Sequence, residues 1–287
     1  MTKMSRRGML QAAGLMTVGA VTGCASPRSS GGKEGNAIFS VAQPTIPIVG
    51  SSEVFPVRRI YCIGRNYAAH AREMGSDPTR EPPFFFQKPS DAIQYVAPGQ
   101  VVDHPYPTLT KNYHYEIELV AAINKGGKNI SVENALQHVF GYAVGLDMTR
   151  RDLQAAMKKE EKPWEIGKSF DKSAPIGPLH PVASIGNFTE GKIWLKVNGQ
   201  VKQSADLKQM IWSVAEQISN LSKAFELMPG DIIYSGTPEN VGPVVRGDIM
   251  EGHIDRLPNI TLKVVQANCR AIFSYCPALA HWPNSKA

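Results

Sequence analysis

Two glutamates, Glu116 and Glu118, stand two residues apart in the stretch YHYEIELVAA (113–122). The stretch is rich in aromatic and β-branched residues and predicts a β-strand, in which side chains two apart share a face. Both carboxylates then lie on the face that Val120 and Ala122 carry toward the interior. Burying like charges together is costly without compensation. Either this face is wet, as at the edge of an antiparallel sheet, or the carboxylates bind a divalent cation, which favours hard oxygen ligands.

A third carboxylate that could complete a cation site ends an apolar run. Asp147 closes the stretch FGYAVGL and precedes a predicted helix over 149–161. A carboxylate at the end of a buried strand is well placed to face a cavity, although Asp at such a junction is also a common helix N-cap. On the predicted helix, Arg151 and Gln154 are three apart and share a face, whereas Arg150 points elsewhere.

Other candidates for chemistry lie in turn-like or helical stretches. Lys168, in GKSF, has apolar flanks, although a lone lysine ordinarily faces solvent. Gly236 and Thr237, in YSGTPENVGPV, follow a predicted strand. Such a turn can expose N–H groups that hold an anion, or it can simply reverse the chain. His70 and Glu73 are three apart on a predicted helix, so the carboxylate either orients the imidazole as a general base or forms only a surface ion pair.

The elements that position these groups are mostly strands. Strands are predicted over 58–63, 84–86, 113–122, 140–146, 192–197, 231–235 and 259–265, and helices over 132–139, 149–161 and 210–227. Asn198 and Gly199 form the dipeptide that suits a type I′ hairpin turn. The helix that carries His70 is expected to stop at Gly75 and Pro78. Many strands with a few interspersed helices indicate an α+β fold dominated by β-structure.

The first 24 residues are predicted to be an export signal and not part of the fold. A positively charged start with two adjacent arginines precedes an apolar run that is too short for a transmembrane span. SRRGML resembles a twin-arginine signal, and VTGC resembles a lipobox in which Cys24 is lipidated. The alternative is a plain cleavable signal. Residues 25–37 are small and polar and indicate a flexible tether, followed by a single catalytic domain over 38–287.

The composition argues against nucleic-acid binding. The formal net charge is +6, but the export signal supplies three basic residues and no acid, which leaves +3 for the rest of the chain. No basic stripe with interleaved aromatic residues is present. Among the four cysteines, Cys62 lies in an apolar run and is expected to be buried. Cys269 and Cys276 either pair in an oxidising compartment or stay free.

Taken in order, these stretches resemble the fumarylacetoacetate hydrolase family. The matching stretches, between residues 58 and 265, are IYCIGRNYAAHAREMG, FFFQKPSDAI, YEIELV, GYAVGLDMTRRDLQ, GKSFDKSAPIGP, LKVNGQVKQ and PGDIIYSGTPENVGPV. Their spacing is most similar to the acylpyruvate hydrolase and oxaloacetate decarboxylase branch. The resemblance implies a mixed β-sandwich roll, usually a homodimer, with Mg²⁺ or Mn²⁺ at the site.

The resemblance also implies a role for each candidate residue. It makes Glu116, Glu118 and Asp147 the metal ligands, His70, Glu73, Gln154 and Lys168 catalytic residues, and Arg65, Arg151, Gly236 and Thr237 substrate-binding residues. Two residues depart from the family pattern. Ser235 replaces the first threonine of T-G-T-P, and Asn240 stands where glycine is frequent and is expected to take a left-handed conformation, which Asn tolerates. Export is also unusual beside intracellular relatives.

Those roles imply metal-dependent hydrolysis of acylpyruvates, which are 2,4-dioxo acids such as fumarylpyruvate or acetylpyruvate. Cleavage between C3 and C4 leaves a pyruvate enolate, whose charge the cation stabilises. His70, held by Glu73, would activate the attacking water. Oxaloacetate decarboxylation needs the same enolate and no water, so it remains an alternative. Two further alternatives are a hydratase or isomerase of the same superfamily, which can lack the His–Glu pair, and an exported 2-oxo acid binding protein without catalysis.

Overall fold

The structure, a computed structural model, describes residues 38–76 and 81–267. Backbone contacts divide the chain into two compact units, Met1–Ala42 and Gln43–Ala287, and every element named below belongs to the second. The predicted export signal and tether lie outside the described residues. The same holds for Cys24, Pro78, Cys269 and Cys276, so lipidation and disulfide pairing stay predictions.

Short strands make up most of the regular structure. The strands are β1 (Thr45–Pro47), β2 (Val54–Pro56), β3 (Ile60–Ile63), β4 (Phe85–Lys88), β5 (Ile93–Tyr95), β6 (Val101–Tyr106), β7 (Tyr113–Tyr115), β8 (Ile117–Ile123), β9 (Val139–Leu146), β10 (Thr149–Arg150), β11 (Ala174–Ile176), β12 (His180–Pro181), β13 (Lys192–Val197), β14 (Gln200–Asp206), β15 (Ile232–Tyr234), β16 (Gly242–Val244), β17 (Ile249–Ile254) and β18 (Ile260–Gln266). The α-helices are α1 (Ala68–Glu73), α2 (Val132–Ala135), α3 (Arg151–Lys159), α4 (Glu165–Lys168), α5 (Val182–Ile185) and α6 (Val214–Ala224), and 3₁₀-helices span Ser90–Ala92, Leu136–His138 and Leu207–Gln209. Within the described residues, no helix has the length and apolar character needed to cross a membrane.

Two mixed sheets form the body of the fold. The larger has the order β4-β3-β15-β8-β9-β11-β5, with β12 also paired to β9, and the smaller has the order β14-β13-β17-β18-β6. Neighbouring strands are antiparallel except in the pairs β3–β15, β5–β11 and β6–β18. One continuous apolar core joins β8 of the larger sheet to β13, β17 and β18 of the smaller one and to α6. The predicted strand-dominated α+β fold, a mixed β-sandwich, is confirmed.

Both faces of β8 are buried. Ile117 and Leu119 belong to the core between the sheets, whereas Val120 and Ala122 belong to a second cluster on the opposite face of the larger sheet, together with the predicted buried Cys62. Glu116 and Glu118 are only 4% and 2% exposed. The predicted alternation of faces is therefore present, but the wet-face alternative for the two glutamates is wrong.

The predicted strand over 113–122 is divided at Glu116 into two strands of different sheets. β7 pairs with β10 in a three-stranded sheet, and β8 pairs with β9 in the larger sheet. The pairing register does not change across this joint, because Thr149 is opposite His114 and Leu146 is opposite Ile117. Glu116 therefore stands directly across from Asp147, whose backbone N–H donates to the Glu116 carbonyl oxygen at 2.8 Å.

Further differences from the predicted elements concern where helices begin and end. The helix predicted over 149–161 is α3, which begins only at Arg151, because residues 149–150 pair with β7. The helix predicted over 210–227 begins only after Ser213, which caps α6 with a reciprocal bond to Glu216, and it ends at Ala224. The helix predicted over 132–139 is one α-turn followed by a 3₁₀-turn, after which β9 begins.

The predicted hairpin turn is present between β13 and β14. Asn198 and Gly199 have φ values of 51° and 78°, and two successive positive φ values define the type I′ turn that the dipeptide favours. The turn matters for the site because β14 carries Gln203, a fully buried amide that reaches the strand joint.

Candidate active site

Three carboxylates converge at the joint between β7–β10 and β8–β9. Ligand oxygens from Glu116, Glu118 and Asp147 all lie within 4.8 Å of one another, and all three residues are buried. The strand register explains this convergence. Glu116 and Asp147 oppose each other across the ladder, and Glu118 is two residues along the same face of β8.

Two buried lysines and one arginine surround the carboxylates. Lys168, at the end of α4, places its Nζ 2.8 Å from Glu116 Oε2 and 2.7 Å from Asp147 Oδ2. Lys88, at the end of β4, places its Nζ 2.8 Å from the other carboxylate oxygen of Asp147. Arg151, the first residue of α3, donates through Nη2 to Glu116. Lys168 is 2% exposed, so the alternative that it faces solvent is wrong.

The two glutamates have opposite electrostatic environments. Burial alone would raise the pKa of Glu116, but the charges of Lys168 and Arg151 outweigh burial and hold that pKa well below its usual range. Burial and the like charges of Asp147 and Glu116 raise the pKa of Glu118 well above its usual range. Burial lowers the pKa of Lys168, yet the neighbouring Asp147 and Glu116 carboxylates raise it overall. The uncompensated charge of the triad is therefore on Glu118.

Glu118 is held by the glycine turn that follows β15. The Gly236 N–H donates to Glu118 Oε2 at 2.8 Å, so this N–H binds a carboxylate of the protein itself. Gly236 has a φ of 97°, and a Cβ there would lie 2.6 Å from the Cβ of Asn66. The next residue, Thr237, lines the cavity above the triad. Two residues of this turn, Gly236 and Thr237, were predicted to bind substrate. The structure gives them different positions: Thr237 faces the cavity, and Gly236 positions Glu118.

A single amide, Gln203, connects that turn to the strand joint. Its Oε1 accepts from the Ile117 N–H at 3.1 Å, between the two glutamates. Its Nε2 donates to Thr237 Oγ1 at 2.9 Å and to the Pro238 carbonyl at 2.8 Å. Because Gln203 is fully buried, its amide oxygen and its amide N–H groups bond within the protein, and the turn and the strand that carries the glutamates are held in fixed relation.

The predicted pair of His70 and Glu73 is formed on α1. His70 Nδ1 lies 2.9 Å from Glu73 Oε2, and the imidazole lines the cavity. The backbone N–H of Asn240 lies 3.1 Å from both carboxylate oxygens of Glu73. Asn240 has a φ of 67° and so takes the expected left-handed conformation. The glycine turn and the helix of the histidine are thereby joined through Glu73.

Arg151 is oriented by a neighbour on α3 and one on β7. Its Nη1 donates to Gln154 Oε1 at 2.5 Å, which is the shared-face contact that the spacing predicts. Its Nε lies 3.4 Å from His114 Nδ1. Burial and the charge of Arg151 lower the pKa of His114 to about 4, so this imidazole is neutral near pH 7 and accepts from the guanidinium. Arg150 instead donates to the Ile166 carbonyl, away from the cavity.

A cavity of about 410 Å³ opens above these groups. Its lining includes nine of the predicted site residues, namely Arg65, His70, Glu116, Glu118, Asp147, Arg151, Gln154, Lys168 and Thr237. Glu73 does not line the cavity and acts through its bond to His70. Arg65 adopts a φ of 54° and stacks its guanidinium 5.3 Å from the Phe84 ring centroid.

Sequence reasoning missed three polar residues at this site: the buried Lys88 and Gln203 and the half-buried His114. Lys88 and Gln203 belong to quoted stretches, FFFQKPSDAI and LKVNGQVKQ, but no local spacing links either one to the carboxylates. His114 lies on the same strand face as Glu116, and that periodicity could have identified it. The N-cap alternative for Asp147 is wrong, because the following helix begins only at Arg151.

The donor set fits a divalent cation. Three buried carboxylates within 4.8 Å of one another supply the hard oxygen ligands that Mg²⁺ and Mn²⁺ take. Lys168 bridges Glu116 and Asp147 with a positive charge at the position where a cation would neutralise them. Lys88, Lys168 and Arg151 pair with Asp147 and Glu116 and none pairs with Glu118, so the protein's own cations leave the third carboxylate for a metal to neutralise.

Comparison with known proteins finds relatives over most of the chain. The family profile described as "Fumarylacetoacetate (FAA) hydrolase C-terminal" matches residues 59–265. Fumarylpyruvate hydrolase from Ralstonia sp is 43% identical over 188 residues, which are 66% of this chain and 95% of that protein. The mitochondrial oxaloacetate tautomerase FAHD1 from Homo sapiens is 42% identical over 207 residues, which are 72% of this chain and 91% of that protein.

A solved structure shares the fold. The crystal structure of fumarylpyruvate hydrolase from Pseudomonas aeruginosa in complex with Mn²⁺ and pyruvate has a TM-score of 0.80 and 57% sequence identity, covering 81% of this chain and 100% of that chain. The family match extends over both sheets and over every residue of the triad. The chain belongs to the fumarylacetoacetate hydrolase family.

Removing one charged ligand from the triad should weaken metal binding. Glu116→Gln, Glu118→Gln and Asp147→Asn should each lower Mn²⁺ affinity at least about tenfold in calorimetric titrations, because a charged oxygen ligand is lost. Glu118→Gln also removes a like charge that has no ion-pair partner among the described residues. In the absence of metal, this variant should therefore unfold at an equal or higher urea concentration than the wild type.

Glu251→Gln, on β17, provides the control, because its side chain bonds to Asn259 and does not line the cavity. It should leave Mn²⁺ affinity and stability unchanged. If all three triad variants bound Mn²⁺ with wild-type affinity, the carboxylates would not be the metal ligands.

Proposed function

We propose that this protein is a metal-dependent hydrolase that cleaves the carbon–carbon bond of acylpyruvates to give pyruvate and a carboxylic acid. One observation carries the proposal: the carboxylate triad and the imidazole of His70 open into the same cavity. The similarity to two fumarylpyruvate hydrolases, one of them solved with Mn²⁺ and pyruvate, supports the same reaction. Fumarylpyruvate is accordingly the first substrate to assay.

The triad would hold Mg²⁺ or Mn²⁺, which supplies Lewis acidity toward the enolate charge that develops on cleavage. The side chains around it would bind and orient the substrate. Arg151 and Thr237 are donors beside the triad and suit the substrate carboxylate. Gln154 also lines the cavity and can direct its amide N–H groups at the developing negative charge. Lys168, whose N–H groups bond to Glu116, Asp147 and Thr149, contributes its positive charge.

His70 is positioned to take a proton from the attacking water. Its Nδ1 bonds to Glu73, which accepts and therefore fixes the hydrogen on that nitrogen and leaves Nε2 as the base. The carboxylate would also stabilise the imidazolium that forms. His70 is only 5% exposed, so the base meets few waters other than the one bound for reaction.

Decarboxylation or tautomerisation of oxaloacetate is the second candidate function. Decarboxylation leaves the pyruvate enolate and tautomerisation passes through the enolate of oxaloacetate itself, and the similarity to a mitochondrial oxaloacetate tautomerase favours including both reactions. Decarboxylation requires neither an attacking water nor a base, so it does not explain why Glu73 fixes His70 beside the triad, whereas tautomerisation could use the same imidazole to move a proton. The same contact argues against a hydratase or isomerase without that pair, and against a binding protein without catalysis.

Replacing the imidazole should separate these reactions. His70→Ala should reduce hydrolysis of fumarylpyruvate by about 10²- to 10⁴-fold, the range for loss of a general base. Mn²⁺ affinity should persist, because the three carboxylates are intact. Oxaloacetate decarboxylation should fall less. Glu73→Gln should show a smaller loss of hydrolysis, because the amide keeps the shape but not the charge. Steady-state kinetics of both reactions test these expectations.

Arg72→Ala is the control on the same helix, because that side chain is exposed and does not line the cavity. Its hydrolysis rate should equal that of the wild type. If His70→Ala also hydrolyses fumarylpyruvate at the wild-type rate, another group is the base and the hydratase or isomerase alternative returns.

We also propose that the chain is exported through a twin-arginine signal and tethered by a lipid on Cys24. Support comes from the sequences SRRGML and VTGC alone. Changing both arginines of the pair (Arg6→Lys with Arg7→Lys) should retain the precursor in the cytoplasmic fraction, and Cys24→Ala should abolish incorporation of labelled lipid. Lys3→Arg serves as the charge-conserving control. Normal export of the double-lysine variant would contradict the twin-arginine assignment.

A homodimer is the remaining proposal, and it rests on the family to which the chain belongs. Light scattering coupled to gel filtration should give a mass twice that of one chain across a tenfold range of protein concentration. A mass of one chain at every concentration would overturn it.

A further inference from the structure

The cavity extends well beyond the carboxylate triad along one face of α3. Arg151, Gln154, Ala155, Lys158 and Lys159 all line it. Their spacing of three, four, seven and eight residues from the first is that of a single helical stripe. Arg151 contacts Glu116 at one end of the stripe. At 1.5 Å per residue, Lys158 lies about 10 Å farther along the axis of the helix.

A row of aromatic side chains, the aromatic wall, extends from the triad alongside this helical stripe. The ring centroid of Phe86 lies 5.1 Å from Lys168 Nζ, and Trp164 packs 6.2 Å from Phe86 and 5.5 Å from Phe84. Arg65 then stacks on Phe84. The wall therefore starts at a cation beside the triad and ends at a second cation, with three mutually tilted aromatic rings between them. Such a surface suits a planar, unsaturated acyl chain.

The far end of the cavity, defined here by Lys158 and Lys159, carries positive charge without a matching acid. Apart from the triad, no carboxylate lines the cavity among the described residues. Neither lysine has an ion-pair partner in that part of the chain, whereas nearby Lys162 pairs with Glu160 at 2.6 Å. Lys158 donates to the Met74 carbonyl at 3.2 Å, which holds its ammonium beside the end of α1, and Met74 also lines the cavity.

The dimensions match an acyl group that ends in a second carboxylate. With C–C bonds of about 1.5 Å, the terminal carbons of a seven-carbon dioxo diacid lie roughly 7 to 8 Å apart. A substrate held by its 2-oxo acid end at the triad would place its other carboxylate toward the two lysines, whose long side chains span the remaining distance. A short or uncharged acyl group would leave both ammonium groups without an anionic partner.

We infer that Lys158 and Lys159 form a subsite for a distal carboxylate, and that the preferred substrates are dicarboxylic 2,4-dioxo acids. This inference rests on the proposed function, because it assigns the acyl end of the same substrate. Lys159 contributes charge alone, and Lys158 also joins α3 to α1. The two lysines are specificity-determining residues with no part in bond cleavage.

The test compares fumarylpyruvate with its methyl ester at the acyl end, which has the same carbon chain but no distal charge. The wild type should prefer the diacid, and Lys158→Met with Lys159→Met should lower kcat/KM for it by about 10- to 100-fold, mainly through KM. Turnover of the ester should not change. Lys159→Met alone should show part of the loss while the bond from Lys158 to Met74 stays intact. Lys162→Met is the matched control and should behave like the wild type.

A binding measurement keeps this inference separate from the proposed reaction. Calorimetric titration of the Mn²⁺-loaded protein with fumarate and with crotonate, which lacks the second carboxylate, needs no turnover. The wild type should bind fumarate more tightly, and the double variant should bind both alike. Equal binding by the wild type, or an unchanged diacid preference in the double variant, overturns the subsite. Failure to hydrolyse either dioxo acid overturns the proposed hydrolase and leaves the binding comparison to decide the subsite.

Discussion

Repulsion among three buried carboxylates is the interaction on which the rest of this structure depends. Two unit charges about 4 Å apart interact by about 4 kcal/mol at the effective dielectric of a protein, which is a large part of a domain's net stability. The strand register places Glu116 directly across from Asp147, and Glu118 beside them, so the fold itself creates the repulsion. Every polar neighbour of the triad reduces it: two ammonium groups, one guanidinium and one backbone N–H.

The compensation is unequal, and that inequality is useful chemistry. The protein's cations bind Glu116 and Asp147, whereas Glu118 has only the Gly236 N–H. A site fully neutralised by lysine and arginine would have little affinity for a metal, because the ion would have to displace paired charges. Without those cations, repulsion among the three carboxylates would destabilise the fold in the absence of metal. The observed arrangement lies between these limits, since burial and like charge still raise the pKa of Glu118.

Local patterns predicted the parts of the site that adjacent residues define. Strand alternation placed Glu116 and Glu118 on one face, and helical spacing paired His70 with Glu73 and Arg151 with Gln154. The division of the strand over 113–122 was not predictable, because it depends on which distant strands pair with each half, and Gln203, which bonds to Ile117 at the joint, lies 86 residues away. Lys158 and Lys159 look like ordinary basic residues at a helix C-terminus, and only the cavity beside α3 distinguishes them.

The contact between Asn240 and Glu73 uses a backbone nitrogen, and this has an evolutionary consequence. The side chain at 240 can vary without altering the orientation of His70, provided that the residue tolerates a φ of 67° and keeps its N–H. Glycine and asparagine meet both conditions, which accounts for the departure from the family pattern at this position. Proline lacks the N–H and cannot adopt that angle. Variation at position 240 is therefore limited by backbone conformation and not by the chemistry of the side chain.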